Sequence, residues 1–194
     1  MSLDYSGNNF NVYYAYSDQV NRIFGDDAVG AAKRFEGDFH FIDGDMETSF
    51  GTAGGYVYLV DVSNNANVGE SNTFGAFLQS GGLHAEVAWQ DGNTALNGMG
   101  SYDAFYGHIK YAKKIGGATY GIGLEYLEDY FKAPLATVHA FNGFADAFIA
   151  QRIGPNDAGG AYAGLADIYV SYVRPGLPGD TTFKGFVHYF LDDG

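Results

Sequence analysis

Residues 83–90, LHAEVAWQ, decide the fold class, because apolar and polar side chains alternate along them one by one. Successive side chains of a β-strand point to opposite faces of a sheet, so this alternation indicates a strand with one apolar face. The apolar positions include Val87 and Trp89, and the other face carries His84, Glu86 and Gln90. The stretch therefore predicts a strand whose two faces meet different surroundings.

The same two-residue period recurs along most of the 194-residue chain, at the spacing of a meander. It predicts nine strands, of which the second is interrupted by the sequence Asp43-Gly44-Asp45. The predicted strands cover residues 8–17, 38–49, 55–63, 72–80, 83–91, 101–114, 118–129, 164–174 and 181–191.

Short and long connections alternate between these strands. The short ones are rich in glycine and lie at 51–54, 80–82, 116–117 and 175–180, whereas the long ones cover 19–37, 63–71, 91–101 and 129–164. Short turns at one rim and long loops at the other are typical of up-and-down antiparallel transmembrane β-barrels. We therefore predict an all-β chain of about eight to ten strands. Nine is an odd number, whereas bacterial single-chain barrels have an even number of strands. Residues 1–194 form one barrel domain or part of a larger barrel, and the best helix candidate is 141–151.

Composition excludes several classes of protein. The chain has no cysteine, so a disulfide scaffold, a thiolate zinc site and a cysteine nucleophile are excluded. Its net charge of −13 and its scattered basic residues do not fit a nucleic-acid groove. No serine lies in a nucleophile-elbow pattern, and no other motif indicates an enzyme. The 16 Tyr and 16 Phe exceed the needs of one small core, which predicts aromatic side chains on a surface that does not face water alone.

Sequence alone leaves two orientations of the strands open. In a soluble barrel the apolar face points inward, and in a membrane barrel it points to lipid. Aromatic residues near the strand ends favour the membrane orientation, because such barrels carry aromatic girdles at both interfaces. These residues are Tyr14, Tyr16, Tyr56, Trp89, Tyr111, Tyr126, Tyr172 and Tyr189.

In the membrane orientation, charged residues on the opposite face are candidates for lining the lumen and selecting the solutes that pass through it. Because carboxylates outnumber lysine on the strands, they predict a preference for cations. His84 and Glu86, with His108 and Lys110 expected on the next strand, are the best candidates for a metal or acid–base cluster. Zinc needs three or four converging ligands and the sequence assembles only two or three, so a polar lining is favoured, with no catalytic residue, metal or other cofactor. The lumen candidates are Asp61, Glu86, Lys110, Glu125 and Asp167 on strands, and Arg34 and Arg152 near loops.

The stretch APLATVHAFNGFADAF at 133–148 is the most specific of several segments that share one resemblance; the others are residues 15–25, 34–40, 56–61, 164–170 and 187–190. Taken in their order along the chain, these segments resemble the alginate-export family of outer-membrane porins. The resemblance implies an outer-membrane β-barrel that passes small polar or anionic solutes. Family barrels are much longer, so it implies a C-terminal or shortened portion of such a barrel. A polyanion channel needs an Arg- and Lys-rich lining, which this acidic chain does not offer.

The sequence is therefore compatible with three functions. The first is a porin-like outer-membrane channel for passive diffusion, whose partners are a lipid bilayer or detergent, small polar solutes, and further strands or copies of the chain. The second is a shortened or engineered barrel scaffold, filled by side chains and without transport. The third is a soluble, lipocalin-like binder. None of the three involves nucleic acid.

Overall fold

The computed structural model describes residues 1–21, 34–66, 68–95, 98, 100–128, 165–177 and 181–192. Within these ranges the chain is all-β. No helix in the described ranges is long and apolar enough to span a membrane. The strands are β1 (Ser2–Ser6), β2 (Phe10–Asn21), β3 (Arg34–Thr48), β4 (Gly51–Val62), β5 (Glu70–Ser80), β6 (Leu83–Thr94), β7 (Gly100–Ile115), β8 (Ala118–Leu127), β9 (Leu165–Leu177) and β10 (Thr181–Asp192).

All ten strands belong to one sheet in chain order, and each pairs antiparallel with the next. This confirms the predicted all-β, up-and-down antiparallel topology. The strands β1 and β10 are the two edges, and no ladder joins them among the described residues, so the sheet is open. The helix candidate at 141–151 lies outside the described residues.

Several details differ from the prediction, since residues 92–94 belong to β6 and residues 175–177 to β9 rather than to connections. The strand β1 was missed because its five residues, SLDYS, are too few and too polar to show a period; it pairs with residues 11–15 of β2. The predicted turn at 51–54 is wrong, because these residues begin β4 and the turn lies at Ser49 and Phe50. Gly54 does not form a turn. It makes room for the Phe77 ring, because a Cβ at this position would lie 2.4 Å from Cζ of that ring.

The predicted short turns at 80–82 and 116–117 are confirmed as two-residue hairpins. Gly81 and Gly82 have φ of 54° and 93°, and Gly116 and Gly117 have 57° and 84°. Two successive residues with positive φ match the twist of the flanking strands, and glycine adopts this conformation without steric cost. Both turns lie at the same end of the sheet, which we call the short-turn end.

The pairing registers sort the side chains onto two different faces. The buried face carries side chains with almost no solvent exposure, including Phe39, Thr73, Gln90, Tyr106, Glu125 and Asp167. The exposed face carries large apolar side chains that are 40–67% exposed: Val87, Trp89, Ile109, Ile122, Leu124, Ile168, Val170 and Val187.

The faces of β6 agree with its sequence pattern. Val87 and Trp89 are exposed, whereas Gln90 is fully buried and Glu86 is partly buried. Leu83 shares the face of Val87, and His84 shares that of Glu86, as predicted. Seven of the eight predicted girdle aromatics lie on the exposed face by register. The exception is Tyr56, which is only 7% exposed and lies on the buried face.

Candidate functional site

Four ionisable side chains of the buried face lie side by side on consecutive strands. Glu86 on β6 is paired in register with His108 on β7, His108 with Glu125 on β8, and Glu125 with Asp167 on β9. We call these four residues the polar row. Neighbouring strands lie about 4.8 Å apart, so the row is continuous across the four strands β6 to β9. It brings together three of the predicted lumen candidates, namely Glu86, Glu125 and Asp167.

The two carboxylates at the β8–β9 end of the row are buried completely. Burying a carboxylate is costly unless hydrogen bonds replace water. The Tyr106 hydroxyl donates to Oε1 of Glu125 over 2.8 Å, and Nδ1 of His188 lies 2.8 Å from Oδ2 of Asp167. Oδ1 of Asp167 has no hydrogen-bond partner among the described residues. Side chains of the sheet therefore hold this end of the row away from water.

Glu86, at the other end of the row, is bound by two side chains. The Tyr56 hydroxyl donates to Oε1 over 2.7 Å, and Nε2 of His84 lies 3.2 Å from Oε2. Tyr56 reaches across β5 because the residue opposite it is Gly75, where a Cβ would lie 2.0 Å from Cζ of the ring. The glycine thus lets β4 supply a hydroxyl to β6.

His108 is held in a similar way from the opposite side. Its Nε2 lies 2.8 Å from the Tyr169 hydroxyl, and Tyr169 lies over Gly123, where a Cβ would be 2.3 Å from Cζ of the ring. One donor atom each from His84, Glu86 and His108 lie within 4.8 Å of one another. The sequence named these three residues with Lys110 as a candidate cluster but could not establish that they converge; the pairing of β6 with β7 brings His84, Glu86 and His108 together, and we call them the His–Glu–His cluster.

The cluster is close to a cavity at the short-turn end. The cavity has a volume of about 610 Å³ and is lined by residues of the 49–52 and 79–83 turns, by His84 and by Lys110. His84 and Lys110 are neighbours in register, and Lys110 is exposed. Small polar molecules therefore have an approach to the His84 imidazole.

At the opposite end of the sheet the buried face is filled. Phe35, Phe39, Val60 and Val62 form an apolar cluster where β3 begins and β4 ends. Near it, the Gln90 amide donates to Oγ1 of Thr73 over 2.8 Å. Buried side chains rather than a wide passage occupy this region.

The structure corrects the predicted placement of Asp61. The prediction put it on the inner face by assigning the tyrosines of β4 to the outer one. Tyr56 and Tyr58 instead face Glu86 and Asp43, and their hydroxyls donate to those carboxylates. Asp61 is an odd number of positions away, so it lies on the exposed face and is exposed.

The two arginine candidates do not join the polar row. Arg34 begins β3 and pairs with Glu36, with 2.7 Å between Nη2 and Oε1; the residue between them, Phe35, is buried, so Arg34 and Glu36 lie on the opposite face. Arg152 lies outside the described residues.

Sequence reasoning missed four hydrogen-bonding partners of the row besides His84, namely Tyr56, Tyr106, Tyr169 and His188. The face of His188 could be read from the alternation of β10, but its contact with Asp167 depends on the register between β9 and β10. The tyrosines carry a weaker signal, because a tyrosine opposite a glycine becomes visible only when the register is known.

No protein-family model, curated protein or solved structure matches the chain.

Proposed function

We propose that the chain forms, alone or with further strands that join its edges, a β-barrel in the bacterial outer membrane and lets small polar or charged solutes pass by passive diffusion. The observation that carries this proposal is the exposed face. Val87, Ile122 and Val187 are each more than half exposed, and they belong to a continuous apolar surface across β6 to β10. Exposed apolar patches of this extent are rare on monomeric soluble proteins, whereas an outward apolar band is required of membrane barrels.

The same observation disfavours the soluble, lipocalin-like binder. Such a barrel keeps its apolar side chains inside, around the ligand, and presents charge to water. Here the charges are distributed the other way: Glu125 and Asp167 are fully buried while Ile109 and Leu124 are exposed. Lipid on the exposed face would remove that apolar surface from water.

The buried face favours small cations over large anions. Asp61 lies on the exposed face and is no longer a lumen candidate. The remaining strand candidates are three carboxylates, Glu86, Glu125 and Asp167, and one lysine, Lys110, so the excess of carboxylates remains. A lumen of that sign raises the local concentration of cations. The acidic lining does not suit the polyanion alginate. From the resemblance to alginate-export porins we therefore propose only the architecture, that of a shortened barrel, and not alginate as the solute.

A second candidate function rests on the degree of burial. Tyr106, Gln90 and Phe39 have almost no solvent exposure, as in small barrels whose interior is filled by side chains. Such a barrel is a membrane scaffold without transport. Conductance separates the two candidates.

The test is electrical recording from the full chain, refolded in detergent and inserted into a planar bilayer. Under a tenfold KCl gradient, the channel proposal expects conductance with a reversal potential of the sign set by cation selectivity. Lys110→Gln, which removes the one lysine among the lumen candidates, should shift the reversal potential further in that direction. Anion selectivity would overturn the cation assignment, absence of conductance from inserted protein would favour the scaffold, and a chain that folds in water without detergent would overturn the membrane barrel.

A further inference from the structure

We infer that the His–Glu–His cluster is a binding site for a divalent transition-metal ion of the zinc type, reached from the cavity at the short-turn end. Two imidazoles and one carboxylate converge from neighbouring strands, with donor atoms within 4.8 Å of one another. The inference does not depend on whether the barrel conducts, because the cluster is formed by the β6–β7 pairing alone.

The distances are close to those of a metal site. Bonds of about 2.0–2.1 Å in a tetrahedral site place the ligand atoms about 3.3 Å apart. Nε2 of His84 and Oε2 of Glu86 are already 3.2 Å apart. The third donor, from His108, lies within 4.8 Å of the other two, so it has to move closer by up to about 1.5 Å to complete a tetrahedral site. The imidazole rings of His84 and His108 have centroids 5.3 Å apart and are tilted by 57°. They therefore do not stack on each other, which leaves space for an ion between them.

Partners outside the cluster orient its ligands. Metal-binding side chains are normally fixed by hydrogen bonds from their other polar atoms, and loss of such a partner weakens binding by about 10- to 100-fold. Oε1 of Glu86 is held by the Tyr56 hydroxyl and Nε2 of His108 by the Tyr169 hydroxyl. Both hydroxyls reach their partners only because glycines lie beneath the rings. The sheet thus builds the support that a metal site requires.

The donor set selects the class of ion. Imidazole nitrogens suit zinc, copper, iron and nickel, whereas calcium and magnesium prefer oxygen ligands. Three protein ligands leave at least one coordination position for water or a small solute. His84 lines the cavity, so that position has an approach from the short-turn end. Glu86 and the neighbouring Glu125 outweigh the charge of Lys110 at this site.

The test is calorimetric titration of the refolded full chain with Zn²⁺, together with the visible absorption spectrum of the chain loaded with Co²⁺. We expect one Zn²⁺ per chain and a Co²⁺ spectrum of low coordination number with nitrogen and oxygen ligands. His84→Gln and His108→Gln should each weaken Zn²⁺ binding by about 100-fold or more, and Tyr169→Phe by about 10-fold. His40→Gln is the matched control, because His40 lies on the exposed face against Tyr14 and should leave the affinity unchanged.

Wild-type affinity in both His84→Gln and His108→Gln would overturn the inference, as would a wild-type chain that binds no Zn²⁺. Equal weakening in His40→Gln would also overturn it, since binding would then follow histidine content rather than the cluster. If a variant fails to fold, the Co²⁺ spectrum of the wild-type chain decides alone: an octahedral spectrum typical of water ligands counts against the site.

Discussion

An arginine at position 87 should prevent stable folding into a membrane, whereas an arginine on the opposite face of the sheet should not. Val87 is 51% exposed. It lies four residues after Leu83, which begins β6 at the short-turn end. With a rise of about 3.3 Å per residue and a strand tilt of about 40°, it lies about 10 Å from that rim, near the middle of an apolar band about 25 Å tall. Arginine at this depth costs about 2–4 kcal/mol, or roughly a 30- to 700-fold change in the folding equilibrium.

Urea titration of folding into lipid vesicles, followed by the shift of folded barrel on unheated gels, measures this cost. Val87→Leu keeps the position apolar and should behave as wild type. Gln79→Arg places the same charge on the buried-face side, at the exposed cavity, and should change the free energy by no more than about 0.5 kcal/mol. A loss for Val87→Arg that is no larger than for Gln79→Arg would refute the assignment of the two faces.

Three further predictions concern the lumen, the turns and the core. Glu86→Gln should lower the cation-to-anion permeability ratio measured from reversal potentials, and the difference should shrink from 0.1 to 1 M salt, where the screening length falls from about 10 to 3 Å. Gly116→Ala should cost about 1–2 kcal/mol, because its φ of 57° is left-handed but no atom lies near an added Cβ. Gly82→Ala should cost more in the same urea assay, since a Cβ there would lie 2.2 Å from a backbone oxygen. Phe39→Ala should destabilise by about 3–5 kcal/mol, whereas alanine at the exposed Phe50 should change urea midpoints little.

The strands could be predicted because their period of two survives in the sequence even where propensity is weak. Residues 43–45 contain two aspartates and a glycine, yet β3 continues through them, because they pair with β2 on one side and with β4 on the other. The five residues of β1 were missed for the opposite reason. A strand that short shows no period, and only pairing with β2 defines it.

The candidate site was predicted in part. Alternation placed Glu86, Glu125 and Asp167 on one face, but it cannot supply the register that makes them neighbours. Asp61 was assigned wrongly because tyrosine serves both at a membrane interface and as a buried hydrogen-bond donor. The contact between Tyr56 and Glu86 skips one strand, and only the glycine on that strand permits it.

Fluorescence of Trp89 tests the central claim most directly, because it is the single tryptophan of the chain and lies 46% exposed on the apolar face. The full chain is folded into vesicles whose acyl chains carry bromine, and emission is compared with that in unbrominated vesicles. We predict strong quenching by the brominated lipid, a blue-shifted emission maximum and little quenching by aqueous iodide. Efficient quenching by iodide with none by brominated lipid would place the exposed face in water and contradict the membrane barrel.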